Sequence, residues 1–169
     1  MKFLVSDGEH FRDQTKDFPY ASELASSKIL VVCADSENRI VGACGIRSVL
    51  NVMSGLYVEE KYRNSGLGKQ LFGETLRAAE KRRLGFVTFT VSPDNVAFHI
   101  VRKFGFREGI FLKRSRQFLM VRPLSSIWKL PLALFFRACS LLPNVFLSNA
   151  HFWLFKRTVK FSSGFERIS

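Results

Sequence analysis

The stretch Arg63-Asn64-Ser65-Gly66-Leu67-Gly68-Lys69 lies between an apolar run ending at Val58 and a helical pattern that begins near Leu67. The N-terminus of a helix has backbone N–H groups without partners and a partial positive charge, so it can bind phosphate. The two glycines let the backbone approach an anion without a Cβ in the way. On these residues alone, the stretch predicts either a phosphate-binding turn or a glycine-rich turn that only starts a helix.

The segments before this stretch predict antiparallel strands. Two apolar runs, 29–34 and 39–46, flank turn residues and predict a hairpin. Residues 50–58 predict a third strand, in which Gly55 indicates a bulge or a close backbone approach. The first 28 residues are poorly patterned, and one short helix is expected over 20–25.

The segments after the stretch alternate between helix and strand patterns. Helical spacing of apolar residues predicts a helix over 67–83, with Gly85 just past its end. A strand over 86–91 follows, then a helix that starts at Ser92-Pro93-Asp94 and closes at Gly105. Residues 110–122 predict a final hairpin or one long bent strand. The chain therefore predicts a mixed α/β domain.

Residues 56–68 resemble the acetyl-CoA loop of the GNAT superfamily of N-acetyltransferases, in which an apolar strand end precedes R/Q-x-x-G-x-G/A. Residues 93–106 resemble the next helix of that family, which typically ends in a Gly-Phe pair. The resemblance spans roughly residues 29–121. It implies a mostly antiparallel GNAT-like sheet, splayed at the acetyl-CoA site and flanked by helices.

The resemblance implies acetyl transfer from acetyl-CoA to a primary amine of a small molecule or protein, with no metal. The strand end would pair with the pantetheine arm, Ser54 or Gly55 would lie near the bulge that opens the gap, and loop N–H groups would hold the pyrophosphate. Asn95, or Asp94 if the register shifts by one, would contact the pantetheine. The implied cofactor-binding residues are Leu56, Tyr57, Val58, Arg63, Asn64, Ser65, Gly66, Leu67, Gly68, Lys69 and Asn95.

The catalytic groups depart from the family pattern. Many members carry a Tyr four residues before the Gly of the Gly-Phe pair, where this chain has Val101. His99 would point about 200° away from that position on a helix and is expected to face solvent. Tyr57 is a weak candidate proton donor, with packing beside the cofactor as its alternative role. A catalytically silent acyl-CoA-binding protein, or a basic module that contacts membrane or nucleic acid, stays open as the second function.

Composition adds expectations about partners and compartment. The net charge of +12 favours anionic partners. The three cysteines, Cys33, Cys44 and Cys139, lack C-x-x-C spacing, which argues against a disulfide framework or zinc site and favours a reducing compartment. We expect a cytoplasmic protein, with peripheral membrane contact as an option.

Residues 1–123 form the predicted acetyltransferase domain, and 124–169 form a hydrophobic, basic and helical C-terminal extension. We weigh three roles for this extension, in order. It packs on the domain or on a second copy as a homodimer; it lies in a membrane interface; or it binds nucleic acid, which is the least favoured.

Overall fold

The computed structural model describes residues 1–112, 115–128 and 131 of the chain. Within these residues the chain forms seven strands and four helices, joined by short 3₁₀ turns. In chain order the elements are β1 Lys2–Ser6, α1 Arg12–Thr15, α2 Ala21–Ala25, β2 Ser27–Ala34, β3 Ile40–Arg47, β4 Met53–Val58, α3 Leu67–Lys81, β5 Phe86–Val91, α4 Val96–Lys103, β6 Arg107–Leu112 and β7 Gln117–Pro123.

The first sheet has the strand order β1-β2-β3-β4, with every neighbouring pair antiparallel. The hairpin predicted over 29–46 is confirmed as β2 and β3. Strand β1, which pairs Phe3 with Cys33, was missed. It is a five-residue edge strand with exposed and half-buried side chains, so its hydrophobic pattern is weak.

Strand β4 is shorter than predicted. Leu50 and Asn51 have φ angles of 52° and 49°, so they form a left-handed turn before the strand begins. The bulge predicted at Gly55 is confirmed, since this residue has a φ of 65°. The register passes from Ala43↔Tyr57 to Gly45↔Ser54, which leaves one extra residue on β4.

The second sheet has the order β5-β7-β6 and is also antiparallel. Strand β5 matches its predicted span of 86–91. Of the two alternatives for residues 110–122, the hairpin is confirmed, although β6 begins earlier, at Arg107. The fold class predicted from the sequence, a mixed α/β domain with mostly antiparallel strands, is thereby confirmed.

Successive side chains of β2 point to opposite faces of the first sheet, and each face packs against its own hydrophobic cluster. Ile29, Val31 and Cys33 join the larger core, to which α3 contributes Leu71 and Phe72. Leu30 and Val32 join a second cluster on the opposite face, where Phe11 and Leu24 from the N-terminal segment are buried. Helix α2 confirms the short helix expected over 20–25, whereas the four-residue helix α1 was not predicted.

Two helix ends differ from prediction. Helix α3 ends at Lys81, and the left-handed residue after it is Arg83, with a φ of 55°, two residues before Gly85. Helix α4 begins at Val96, because the side chain of Asn95 accepts a hydrogen bond from the backbone N–H of Ala97 and caps the helix. The expected start at Pro93 was therefore wrong by three residues.

Two residues just after the predicted domain boundary contact the folded domain. Leu124 packs against the main core, and the backbone N–H groups of Leu124 and Ser125 both donate to the carbonyl of Gly85, at 2.9 and 3.4 Å. Apart from residues 124–128 and 131, the predicted C-terminal extension lies outside the described residues.

Candidate active site at the open edge of the sheet

The glycine-containing turn between β4 and α3 has the backbone of an anion site. Asn64 and Gly66 have positive φ angles of 61° and 82°, and Gly66 is the N-cap of α3. The hydroxyl of Ser65 donates a hydrogen bond of 2.6 Å to the carbonyl of Tyr62, which closes the turn. The turn therefore places the first N–H groups of a 15-residue helix at an exposed surface.

Two of the first three N–H groups of α3 are available to an acceptor. The N–H of Leu67 donates a hydrogen bond of 3.4 Å to the Ser65 hydroxyl oxygen. Those of Gly68 and Lys69 have no acceptor among the described residues. A Cβ added at Gly66 would meet nothing within 4 Å, so the space beside this glycine is open. Free donors, open space and the positive end of the helix dipole suit a phosphate group.

The two cations of the turn differ in their surroundings. The guanidinium of Arg63 folds back and donates through Nε to the carbonyl of Val58, at 3.1 Å. It thus ties the turn to the end of β4 while its side chain stays exposed. Lys69 is exposed on the first turn of α3. Arg63 thus adds positive charge to the turn, and Lys69 adds it to the first turn of α3.

A polar cluster holds the turn against the β2–β3 hairpin. The hydroxyl of Tyr62 donates to Oδ2 of Asp35 at 3.3 Å. Arg39 bridges the same carboxylate, at 3.6 Å, and Glu59, at 3.5 Å. The strand end and the glycine turn are therefore fixed to a neighbouring hairpin.

The carboxyl of Asp35 is stabilised in its ionised form. Partial burial acts to raise its pKa, but the backbone N–H groups of Arg39 and Glu37 and the Tyr62 hydroxyl donate hydrogen bonds to it. Together with the positive charge of Arg39, these bonds hold the pKa of Asp35 below its usual value. The carboxyl of Asp35 is thus ionised at neutral pH.

Strands β4 and β5 diverge beside this turn. They are joined by a single parallel bridge among the described residues, between Val52 and Thr88. The Thr88 hydroxyl reinforces the bridge by donating to the carbonyl of Leu50 at 2.9 Å, and Asn51 donates to the carbonyl of Phe86 at 2.8 Å. Beyond the bridge the strands belong to separate sheets, so within the described residues β4 pairs with β3 alone. A strand paired on one side leaves alternate backbone N–H and C=O groups facing the gap.

The strand residues predicted for the cofactor line this gap. Leu56 is exposed, and Tyr57 and Val58 are half-buried, just after the bulge at Gly55. A Cβ added at Gly55 would lie 2.7 Å from the side chain of Leu24, so α2 packs closely on the bulge. The hydroxyl of Ser54 is buried and has no hydrogen-bond partner in the part of the chain that the structure describes.

The ring of Tyr57 packs on Phe18, with ring centroids 4.7 Å apart. Aromatic packing is the alternative role that the sequence analysis gave for Tyr57 beside proton donation, and this contact is of that kind. Tyr57 thus lies on the strand beside the gap, held by the segment that leads into α2.

The start of α4 places Asn95 in a structural role. Its side-chain oxygen caps the helix through the N–H of Ala97, at 2.8 Å, so that oxygen is already engaged. Both Asn95 and its neighbour Asp94 are exposed. On the same helix Val101 is buried and His99 is exposed, as the sequence predicted. The described residues therefore offer no ionisable group at the position where many GNAT members carry their acid.

The described cysteines are free and unsuited to nucleophilic chemistry. Cys44 is fully buried between the sheet and α3, and burial raises the pKa of its thiol to about 12. Burial also raises the pKa of Cys33. Because the thiolate is the reactive form, these two residues act as core side chains.

Over residues 1–112, 115–128 and 131, no group of three or more His, Cys, Asp or Glu side chains could hold a metal ion. No helix in the same part of the chain is long and apolar enough to cross a membrane.

The family profile of the acetyltransferase (GNAT) domain matches residues 4–117, which is more than half of the chain. The chain therefore belongs to the GNAT acetyltransferase family. No curated protein is similar enough in sequence to count as a match.

Solved structures agree on the fold. An aminoglycoside 6'-acetyltransferase type Ii superposes with a TM-score of 0.59 at 16% identity, covering 74% of this chain and 98% of that one. The ribosomal-protein-S18-alanine N-acetyltransferase from Escherichia coli gives 0.53 at 18% identity, covering 73% and 95%. A GNAT family N-acetyltransferase from Escherichia coli in complex with CoA gives 0.53 at 19%, covering 73% and 81%. At these identities the likeness establishes the fold.

Proposed function

We propose that this protein transfers an acetyl group from acetyl-CoA to a primary amine of a small-molecule or protein substrate. The observation that carries the proposal is the exposed glycine turn at the start of α3, beside a strand whose outer edge is unpaired within the described residues. The turn suits a pyrophosphate, and the edge of β4 suits an extended amide-containing arm. A neighbour of the same fold is known in complex with CoA.

The proposed cofactor contacts are mostly made by the backbone. The N–H groups of Gly68 and Lys69 would bind the pyrophosphate, and Arg63 and Lys69 would add positive charge. The strand edge at residues 56–58 would pair with the pantetheine arm. Asn95 would reach the arm only with its amide N–H groups, because its oxygen caps α4.

The chemistry needs little from ionisable side chains. The lone pair of a neutral amine attacks the thioester carbonyl, the tetrahedral intermediate collapses with loss of the CoA thiolate, and the surplus amine proton passes to solvent or to the thiolate. A thiolate leaves without a strong acid, so holding the two reactants in line supplies much of the rate. The positioned strand edge and turn are suited to this role, and Tyr57 is the candidate proton donor on that strand.

A panel of amines tests the proposal by following CoA thiol release from acetyl-CoA. The panel includes aminoglycosides and peptides with a free α-amino group, because two neighbours of this fold are named for such acceptors. Turnover with at least one amine, confirmed by the mass of an acetylated product, is the expected result. Hydrolysis at the same rate with and without every amine would contradict it.

The buried Val101 favours a second candidate, an acyl-CoA-binding protein without transferase activity. Acetyl-CoA binding with no product from any amine would favour this candidate. The absence of acetyl-CoA binding would exclude both.

A further inference from the structure

Two residues with a left-handed backbone precede β4. Leu50 and Asn51 have φ angles of 52° and 49°, in a region that disfavours residues with a Cβ and that asparagine tolerates better than leucine. The side chain of Leu50 is 40% exposed, so its own burial offsets little of this cost. Residues keep such a conformation only where surrounding contacts impose it, and they are concentrated at functional sites. The contacts of this turn therefore indicate its role.

The side chain of Asn51 bonds to both sheets. Its amide nitrogen donates to the carbonyl of Phe86 at the start of β5, at 2.8 Å, and its amide oxygen accepts from the ammonium group of Lys28 on β2. The orientation of the amide is fixed, because an ammonium group can only donate and a carbonyl can only accept. Asn51 is half-buried. This one side chain thus joins a strand of the first sheet to a strand of the second.

The bond to Phe86 fixes the angle at which β4 and β5 diverge. The parallel bridge to Val52 and the hydrogen bond to the Leu50 carbonyl are both made by Thr88. Contacts at one residue of β5 act as a pivot, because they set a distance and leave the angle free. Phe86 lies two residues before Thr88 on β5, about 7 Å away along the strand. A bond at that second point, from Asn51, holds the angle.

A small change in this angle becomes large at the cofactor end of the gap. Leu56 and Val58 lie four and six positions after Val52, or about 13 and 20 Å along an extended strand. A rotation of roughly 5° at the bridge would therefore move them by about 1–2 Å. Because N–H···O bonds span only about 2.7–3.2 Å, a shift of this size breaks them. The strand edge can pair with an extended arm only while the angle is held.

We propose that Asn51 is a positioning residue, which sets the width of the gap between β4 and β5 and thereby the affinity for the pantetheine arm of acetyl-CoA. The inference rests on the proposed function, because it takes the arm to lie along residues 56–58. Asn51 acts on the arm through the position of the strand edge and does not itself contact the cofactor.

The phosphate turn is held by other contacts. Tyr62 bonds to Asp35 through its hydroxyl and accepts from Ser65 through its carbonyl. Loss of the Asn51 side chain leaves these bonds in place. It should therefore weaken binding of the arm and spare binding of the phosphates. If Asn51 only stabilised the fold, its loss would lower the melting temperature, and the folded protein would bind both parts of the cofactor as before.

Calorimetric titration of the full chain with two ligands tests the inference. Acetyl-CoA probes the turn and the gap together, whereas 3′-phospho-ADP, the part of acetyl-CoA without the pantetheine arm, probes the turn alone. Asn51→Gly removes both hydrogen bonds, and glycine suits the left-handed backbone, so the variant should fold. We expect it to bind acetyl-CoA at least about tenfold more weakly than the parent, and 3′-phospho-ADP within about twofold.

Asn38→Gly is the matched control. Asn38 also has a left-handed backbone, with a φ of 61°, and its exposed side chain lies in the turn between β2 and β3. The same substitution there should leave both affinities unchanged. If Asn51→Gly does not fold, Lys28→Met provides the test, because it removes the donor to the Asn51 oxygen and keeps an apolar stem. It is expected to show the same selectivity for acetyl-CoA with a smaller loss.

The outcomes separate this inference from the proposed function. Parent-like binding of acetyl-CoA by folded Asn51→Gly, or equal losses for the two ligands, would overturn the role of Asn51 while the parent still binds acetyl-CoA. The same results with Lys28→Met would overturn it if Asn51→Gly does not fold. A parent that does not bind acetyl-CoA would overturn the proposed function and this inference together.

Discussion

The hydroxyl of Tyr62 donates a hydrogen bond to Oδ2 of Asp35 over 3.3 Å, joining the segment after β4 to the turn between β2 and β3. The same Tyr62 accepts, through its carbonyl, the hydrogen bond from Ser65 that closes the glycine turn. The conformation of the proposed phosphate site is therefore coupled to a carboxylate that belongs to a different hairpin.

Asp35→Asn removes the charge of this carboxylate while an amide oxygen can still accept the backbone hydrogen bonds. Because the pKa of Asp35 is depressed in the folded protein, its contribution to stability is present above the unfolded pKa of about 4 and is lost as pH falls through the folded value. We expect the variant to melt below the parent at pH 7 and the gap between them to narrow as the pH falls below about 4. Thermal unfolding from pH 7 to pH 3 measures the difference. A gap that stays constant over this range would contradict the prediction.

Tyr57→Phe tests whether catalysis depends on the phenol. The ring packs on Phe18, and phenylalanine keeps that contact, so the fold and acetyl-CoA binding should persist. If positioning carries the reaction, kcat should fall well under the ~10²-fold that loss of a general acid can cost. Steady-state kinetics with any amine identified by the panel provides the measurement. A much larger loss with unchanged acetyl-CoA affinity would make Tyr57 the proton donor.

Substitutions of Gly66 test the backbone conformation of the turn separately from the space available to a side chain. Its φ of 82° disfavours side chains with a Cβ, although a Cβ there would meet no neighbour within 4 Å. Gly66→Val should therefore destabilise the protein by about 1–2 kcal/mol through backbone strain. Asparagine tolerates the left-handed region, so Gly66→Asn should cost less. Denaturant unfolding of the two variants compares them, and equal losses would argue against strain as the cause.

Much of the fold could be predicted because its local signals agree with its tertiary contacts. The hairpin of β2 and β3, the strand β5 and the helix α3 each have a clear hydrophobic period, and Gly55 indicated the bulge. The missed β1 is an edge strand, stabilised by its pairing with β2 rather than by its own pattern. The start of α4 was misplaced because Asn95 and Pro93 are both acceptable near a helix start, and only the hydrogen bond to Ala97 decides between them.

The site was predictable where it depends on local sequence and hidden where it depends on contacts between elements. The glycine turn consists of consecutive residues, so its position in the sequence could be predicted. The hydrogen bond between Tyr62 and Asp35 joins residues 27 positions apart in the sequence, and the bridge between Val52 and Thr88 joins residues 36 positions apart. No short-range pattern indicates either contact.

Two truncated chains test where the folded domain ends. A chain ending at Trp128 keeps Leu124 and its contacts with the core, whereas one ending at Pro123 loses them together with two hydrogen bonds to Gly85. Loss of a half-buried leucine costs about 1 kcal/mol, so the shorter chain should melt a few degrees below the longer one. Calorimetry of the two chains provides the comparison. Aggregation of both would instead indicate that the extension packs on the domain, which is the role that the sequence alone placed first.

The central claim is that acetyl-CoA binds at the first turn of α3, and calorimetric titration with matched Gly68 variants tests it most directly. A Cβ at Gly68 would lie 3.6 Å from Val58, an ordinary contact, so Gly68→Ala should fold and gain up to about 1 kcal/mol of helix stability. The GNAT loop pattern accepts alanine there, so this variant should bind acetyl-CoA like the parent. Gly68→Val, whose branched side chain blocks the approach of a phosphate to the backbone, should remain folded and bind at least about tenfold more weakly, a loss of roughly 1.4 kcal/mol. Equal affinity of the parent and a folded Gly68→Val, or no binding by the parent, would contradict the account.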